Sequence, residues 1–217
     1  MISPERLSSM RNEWLSLFAR HAIPTASQLF EQLVTRYSTP DRAYHNLEHL
    51  AEMFDVLECL VPWIDDPDSV HLAVWFHDAV YDTREKDNEE RSAQLAADLL
   101  APLAVPRLMI VRIAGLVRAT AHLTSTDPPA DSDTAALLDA DLDILSATPE
   151  RYARYARDIR LEYHWVPETD YRRGRSAVLR AFLARPKIFH HAVTHEERET
   201  RARRNLEGEL ESLAMSL

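Results

Sequence analysis

Hydrophobic residues recur along this chain at helical spacing. Leucine, alanine, arginine and glutamate fill long stretches, and β-branched residues rarely alternate with polar ones. Apolar residues three and four positions apart line one face of an α-helix, whereas strict alternation would indicate a strand. Because helical periods dominate, the pattern predicts an all-α fold.

Prolines and capping residues divide the pattern into ten predicted helices. Three of them begin with a proline that follows a residue able to cap the helix: Ser3-Pro4, Asp66-Pro67 and Thr148-Pro149. Residues 124–133 are rich in Ser, Thr, Asp and Pro and predict a surface loop. The predicted helices span residues 4–21, 24–38, 45–61, 67–81, 87–101, 106–122, 131–145, 149–164, 168–184 and 195–215.

The 217 residues, 46% of them hydrophobic, can build one sizeable core. We predict one domain over 1–217, with 1–40 as an N-terminal helical extension and 146–217 as C-terminal helices that cover the core. A domain boundary within the 124–133 loop is the alternative. One domain is preferred because the acidic cluster after the loop needs partners from before it.

The net charge of -10 and the pI near 5.4 predict that nucleic-acid polymers are not partners, because phosphates would be repelled. The basic run 198–204 alternates with glutamates, which is typical of a solvated helix face. The N-terminal residues lack the apolar core of a signal peptide, and no stretch has the roughly 18 apolar residues of a membrane span. We therefore expect a cytoplasmic protein without a membrane partner and with its single cysteine, Cys59, buried and reduced. Stripes of residues on the helix surfaces could form the interface of a homodimer, but nothing in the sequence specifies one.

Two histidines open the third predicted helix. The spacing of four residues places His45 and His49 on one face, one turn apart, so both can reach a common site. Histidines at this spacing are more often surface or packed residues than ligands, and the pair alone is a weak signal.

An adjacent His77 and Asp78 follow a strongly apolar helix. Burying this pair beside Trp75 and Phe76 costs several kcal/mol unless charge or coordination neutralises it, and a metal ion would do so. The alternative is a helix C-terminus where His77 interacts with the dipole and Asp78 faces water.

Three aspartates alternate with other residues in the leucine-rich segment 137–145. Helical spacing places Asp139 and Asp143 on one face and directs Asp141 elsewhere. Carboxylates in such apolar surroundings need a positive charge to offset their repulsion, and we expect at least one of the three to be solvated instead.

Taken together and in order, these motifs resemble those of the HD superfamily of metal-dependent phosphohydrolases. The resemblance is to its bacterial subgroup of predicted phosphohydrolases, and it covers most of the chain from residue 44 onward. It implies a single HD-domain-like helical bundle. The motifs are YHNLEH (44–49), WFHDAVYD (75–82), DNEERSA (87–93), LLDADLDIL (137–145), IRLEYHWVP (159–167), GRSAVLRAFLARPKIF (174–189) and ARRNLEGEL (202–210).

The resemblance implies that His49, His77, Asp78 and Asp141 are metal ligands, with Asp139 as the alternative for the last position. Asp141 is preferred because Asp141-Leu142 resembles the Asp-Arg-Leu of other HD proteins, although the arginine is absent here. Nitrogen and oxygen ligands without a thiolate suit a divalent ion such as Mn, Fe, Co, Ni or Mg.

Further roles follow from the same resemblance. His45 would be the general acid, as in cyclic-nucleotide phosphodiesterases, or else a residue that supports a ligand or caps the helix. His122 would be a ligand of a second metal, or else a histidine on the helix dipole. One of Glu89 and Glu90 would position water, or both are surface charges. Arg175 would grip phosphate with its planar fork.

The resemblance therefore implies a phosphomonoesterase or phosphodiesterase that acts on a small phosphorylated compound, with nucleotides among the candidates. Metal-activated water would attack phosphorus. Two alternatives remain open: a di-iron oxygenase of the HD type, which would need more histidines around a second ion, and a non-catalytic nucleotide-sensing domain that keeps the metal.

Overall fold

A computed structural model describes residues 2–23, 26–122 and 129–215, and of residues 192–196 it describes only the backbone. Ten α-helices and no strand occur in this part of the chain, which confirms the all-α prediction. Residues 24, 25 and 124–128, which the sequence assigned to a helix start and a loop, lie outside it. The helices are α1 (Pro4–Arg20), α2 (Ala26–Tyr37), α3 (Leu47–Leu60), α4 (Pro67–Phe76), α5 (Asn88–Leu100), α6 (Arg107–Ala119), α7 (Ser132–Asp141), α8 (Pro149–Glu162), α9 (Glu168–Leu183) and α10 (Ala192–Met215), with 3₁₀ turns at Val61–Trp63, Ala101–Leu103 and Asp143–Ser146.

The three proline-containing helix starts are capped as predicted. In each, the side-chain oxygen of the residue before proline accepts a hydrogen bond from the backbone N–H three positions further on. The distances are 3.1 Å at Ser3, 3.1 Å at Asp66 and 3.4 Å at Thr148. Each cap satisfies a donor that the first helical turn leaves without a partner.

Helices α1 to α7 share one hydrophobic core. Trp14 of α1 lies at its centre, with its ring 5.5 Å from that of Trp75 and 6.0 Å from that of Phe30. Its indole N–H donates to the carbonyl of Ala26 over 2.8 Å and so joins α1 to α2. The N-terminal helices therefore pack into the same core as the helices that carry the candidate ligands.

A second cluster of buried residues lies between the 3₁₀ turn after α7 and helices α8 to α10. Asn205 of α10 donates to the carbonyls of Leu145 and Ala147, both over 2.9 Å, and ties α10 to that turn. Tyr44, just before α3, belongs to this cluster, whereas His49 lies on a helix of the first core. The candidate ligands therefore lie where the two clusters meet.

The prediction that Cys59 is buried is wrong. Its side chain is exposed on α3, next to exposed Glu58, while the neighbours Leu57 and Leu60 are fully buried. A helix turns by about 100° per residue, so an apolar run does not place every member on the core side. None of the described helices is long and apolar enough to cross a membrane.

We expect Trp14→Ala to lower the free energy of unfolding by about 3–5 kcal/mol, because it empties a large space in the shared core. Trp63→Ala is the control, since Trp63 is 40% exposed and its loss should cost far less. Urea unfolding followed by circular dichroism measures both. A loss in Trp14→Ala no larger than that in Trp63→Ala would contradict a core that α1 shares with α2 to α7.

Candidate metal centre

Helix α4 ends at Phe76, five residues before the predicted end, and the chain turns at His77 and Asp78. Buried Arg42 stabilises this turn, since its guanidinium donates to the carbonyl of Asp78 over 2.7 Å and to that of His45 over 3.1 Å. The ring of Tyr37 lies 4.9 Å below the guanidinium carbon. Arg42 carries no recognisable sequence signal, because a carbonyl acceptor can belong to any residue type and that of Asp78 lies far away in the chain.

The DNEERSA motif holds the chain that follows the turn. The hydroxyl of Ser92 accepts from the N–H of Val80 over 3.0 Å and lies 3.2 Å from its carbonyl. The Asn88 amide pairs with the backbone of Asp82 at 3.1 and 2.9 Å. This motif therefore fixes the loop behind Asp78.

Three of the predicted ligands form a group that could hold a metal ion. His49 comes from α3, and His77 and Asp78 come from the turn after α4. The two Nε2 atoms are 3.3 Å apart, and Asp78 Oδ2 lies 3.1 Å from His77 Nε2. Both histidines are almost completely buried.

Asp141, the last residue of α7, faces the same group. Its Oδ1 lies 3.1 Å from His49 Nε2 and 3.6 Å from His77 Nε2, and its Oδ2 lies 2.7 Å from His122 Nε2. Asp139, the alternative, is engaged elsewhere: it is fully buried and accepts hydrogen bonds from the backbone N–H groups of residues 190 and 191. Asp141 is thus the aspartate of the segment that contacts the histidines.

The chemistry of this set calls for a positive charge. His77 Nδ1 lies 2.9 Å from the carbonyl of Val74 and must donate to it, which leaves the Nε2 lone pair aimed at the group. Two imidazole nitrogens and two carboxylates then converge in a buried space. Burial alone would lower the pKa of His77, but Asp78 and Asp141 raise it to about 9, so a proton supplies the charge when no metal does.

The distances from the histidine nitrogens to each other and to the nearest carboxylate oxygens are of the size that one ion would require. Ligands bound at about 2.1 Å, with angles between 90° and 109°, lie about 3.0–3.4 Å apart. The neighbouring pairs here are separated by 3.1 to 3.6 Å. Two nitrogens and two carboxylate oxygens suit a divalent ion of borderline or hard character.

A cavity of about 460 Å³ opens beside the group, and Asp78 and Asp141 form part of its wall. Five of the seven tyrosines of the chain contribute to its lining, together with aliphatic side chains from the 3₁₀ turn, α8 and α9. The five are Tyr44, Tyr81, Tyr155, Tyr163 and Tyr171. Such a lining favours an aromatic or apolar ligand.

His45 also lines the cavity, and a buried glutamate holds it there. Glu162 of α8 accepts from His45 Nδ1 over 2.7 Å and from the His45 N–H over 2.9 Å. The hydroxyl of Tyr81 donates to the same carboxylate over 3.0 Å. Burial alone would lower the pKa of His45, but Glu162 and Asp78 outweigh it and raise the pKa above the ordinary value. Glu162 was missed from sequence, although its IRLEYHWVP segment was noted.

Glu89 and Glu90 point in different directions. Glu89 lines the cavity, whereas Glu90 forms a two-pronged ion pair with Arg118 at the surface, at 2.5 and 2.7 Å. Helix geometry explains the difference, since consecutive residues face about 100° apart. Glu90 therefore does not line the cavity, and its predicted role in positioning water is not supported.

Arg175 reaches the cavity wall with its fork already engaged. Its Nε and Nη2 donate to Glu209 over 2.7 and 3.0 Å, and Nη1 lies 3.3 Å from the hydroxyl of Tyr155. The two-pronged grip expected for phosphate is thus made to a carboxylate, and Glu209 offsets its charge. His122 also lines the cavity, and its Nε2 contacts Asp141.

Comparisons of the chain with protein-family models, curated proteins and solved structures find no match.

We expect Asp141→Asn to weaken metal binding at least about tenfold. Even the loss of a residue that only orients a metal ligand costs about that much. Asp139→Asn is the matched control: it should keep its metal but lose roughly 1–3 kcal/mol of stability, because one of two buried backbone N–H groups loses its acceptor and faces an NH2 donor instead. Elemental analysis and thermal unfolding separate the two effects. Retained metal in Asp141→Asn together with lost metal in Asp139→Asn would reverse the ligand assignment.

Metal binding should release roughly one proton per ion at neutral pH, because a ligand histidine must be neutral. The pKa of His77 is about 9 without metal, so the ring is protonated below that pH. Metal affinity should therefore fall as the pH falls from 9 and level off above it. Calorimetry in buffers with different protonation enthalpies counts the protons, and binding without proton release at pH 7 would contradict this pKa.

Proposed function

We propose that this protein is a metal-dependent phosphohydrolase that acts on a small phosphorylated compound. One observation carries the proposal: the ligand atoms of His49, His77 and Asp78 lie together, with Asp141 next to both histidines, and the two aspartates line a cavity that His45 also lines. A metal group alone would fit many functions. Here the candidate ligands adjoin a cavity of about 460 Å³ that is also lined by a hydrogen-bonded histidine. This combination fits the hydrolysis of a bound ester.

His49, His77, Asp78 and Asp141 would hold a divalent ion at this wall. Such an ion supplies two things, a lower pKa for bound water and an offset for the charge on a phosphoryl oxygen. The two carboxylates balance the double charge of the ion. Bonds from His77 to the carbonyl of Val74 and from His49 to the hydroxyl of Tyr44 keep both rings oriented.

His45 would protonate the leaving oxygen. Its Nδ1 is committed to Glu162, so Nε2 is the atom that can give a proton to a substrate in the cavity. The carboxylates around it raise its pKa, which favours the protonated form of the ring that an acid requires. Glu162 also holds the ring in place, as the third group of a catalytic set often does.

The cavity lining favours a substrate with an aromatic part and little charge. Five tyrosines offer ring faces, and a nucleoside base is a ligand of that kind. Arg175 is neutralised by Glu209 and Asp170 by Arg173, while Glu89 adds negative charge to the lining. These charges suit a single phosphate group bound at the metal and disfavour a polyphosphate chain.

Two rival functions would use the same ligands. A di-iron oxygenase needs a second set of ligands, and among the described residues one group of three or more metal-binding side chains is found. A nucleotide-sensing domain would bind metal and ligand without turnover. Neither rival accounts for a histidine held at the cavity by a buried glutamate.

Metal analysis of the purified protein, combined with a hydrolysis panel, tests the proposal. The panel contains nucleoside monophosphates, triphosphates and simple phosphate esters. We expect bound metal and hydrolysis, with both lost in His77→Ala and Asp78→Ala and both kept in His164→Ala, since His164 is exposed. Metal without turnover on any ester would favour the sensor, and oxygen uptake by an iron-loaded sample would favour the oxygenase.

We expect the effect of His45→Asn on the hydrolysis rate to depend on the leaving group of the ester. The rate on an alkyl phosphate should fall by about 10²–10⁴, because the alkoxide needs a proton as it leaves. The rate on a p-nitrophenyl ester should fall far less, since that phenolate leaves without help. Asparagine can still bond to Glu162 from the position of Nδ1. An equal loss on both esters would assign His45 to positioning and not to proton transfer.

A further inference from the structure

A second cavity, of about 680 Å³, lies behind His122, between α6, α7 and the segment after α9. Small residues leave this space open: Gly115, Ala119, Ala121, Ala181 and Ala184 all contribute to its lining. A Cβ built on Gly115 would meet nothing within 4 Å. The ring of His122 contacts Asp141 of the metal centre, so this residue separates the two cavities.

The charged side chains that line this cavity are basic. Arg112, Arg185, Lys187 and His190 line it, and no Asp or Glu is found among its described lining residues. Arg112 is already paired with two aspartates from nearby, at 2.6 and 2.9 Å. In the part of the chain that the structure describes, no carboxylate lies within ion-pair distance of Arg185 or Lys187. In a chain with a net charge of -10, such a concentration of unpaired cations is unusual.

Arg185 is held in place by contacts other than an ion pair with any described residue. Its guanidinium lies 4.6 Å from the ring centre of Phe182, and one of its nitrogens donates to the carbonyl of His122. A different arginine, Arg203, donates to the carbonyl of Leu183 at the end of α9 over 2.9 Å, so Arg185 is not required there. Most of the five N–H donors of Arg185 are therefore available to a ligand.

Electrostatic effects within the cavity agree with this picture. Burial lowers the pKa of Arg185, and no acidic group among the described residues opposes that effect. Burial also lowers the pKa of His190. Asp139 raises this pKa, but the charges of Arg185 and Lys187 lower it further. Arg185 and Lys187 thus act on the same region of space as His190, and their positive charges there, together with burial, outweigh the opposing effect of Asp139.

We propose that Arg185, Lys187 and His190 bind a phosphate group, as the free ion or as part of a larger ligand, at a site separate from the metal centre. An arginine fork, an ammonium group and an imidazole together match the several oxygens and the double charge of phosphate better than those of a carboxylate. The cavity has room for more than the ion. This site does not require that the protein hydrolyses anything.

Calorimetric titration of inorganic phosphate into the metal-free protein tests the site. We expect saturable binding that weakens at least about tenfold in Arg185→Gln with Lys187→Gln, since charge-assisted contacts are lost. The control is Arg180→Gln with Lys86→Gln, which removes the same charges at exposed positions outside the cavity lining. His77→Ala should still bind phosphate. Equal binding by the cavity and control variants, or an equal response of the wild type to acetate, would overturn the proposal.

The lysines allow a second test that needs no variant. The chain has two, Lys86 and Lys187, so limited acetylation followed by peptide mass spectrometry reads both in one sample. We expect phosphate to slow the acetylation of Lys187 severalfold and to leave Lys86 unchanged. Organic phosphates that protect Lys187 at lower concentrations than inorganic phosphate would identify a larger ligand. Equal rates at Lys187 with and without saturating phosphate would overturn the assignment.

Discussion

Two imidazole nitrogens and two carboxylates cannot share a buried space unless a positive charge lies among them. The helices that meet at this point are arranged around that requirement. Helix α3 contributes His49, the turn after α4 contributes His77 and Asp78, and the end of α7 contributes Asp141. Each backbone segment is fixed by its own hydrogen bonds, so the ligand atoms stay close despite their repulsion.

Two buried charges outside the ligand set support this arrangement. Arg42 binds backbone carbonyls on the ligand side, and Glu162 accepts hydrogen bonds from Tyr44, His45 and Tyr81. The ion-pair partner of Glu162 is His45, which lines the cavity. Arg42 fixes the turn that carries Asp78, and Glu162 fixes the approach to α3. Together they connect the first core to the second cluster.

The sequence predicted the ten helices well, because helical periods and proline caps are local signals. It also identified His49, His77, Asp78 and Asp141 as a set, through an ordered group of motifs. It could not predict where α4 ends, because that depends on Arg42 and not on local propensity. Glu162 and the true partner of Arg175 were missed for a similar reason: both depend on contacts between segments far apart in the chain.

The candidate ligands come from three helical segments in both halves of the chain, and this has a mechanical consequence. An ion bound to all of them acts as a removable cross-link that an unfolded chain cannot hold in the same way. At a concentration one hundred times its dissociation constant, such an ion adds about 2.7 kcal/mol to the free energy of unfolding. Chelation would therefore loosen the joint between α3, α4 and α7 before it affected the aromatic core around Trp14.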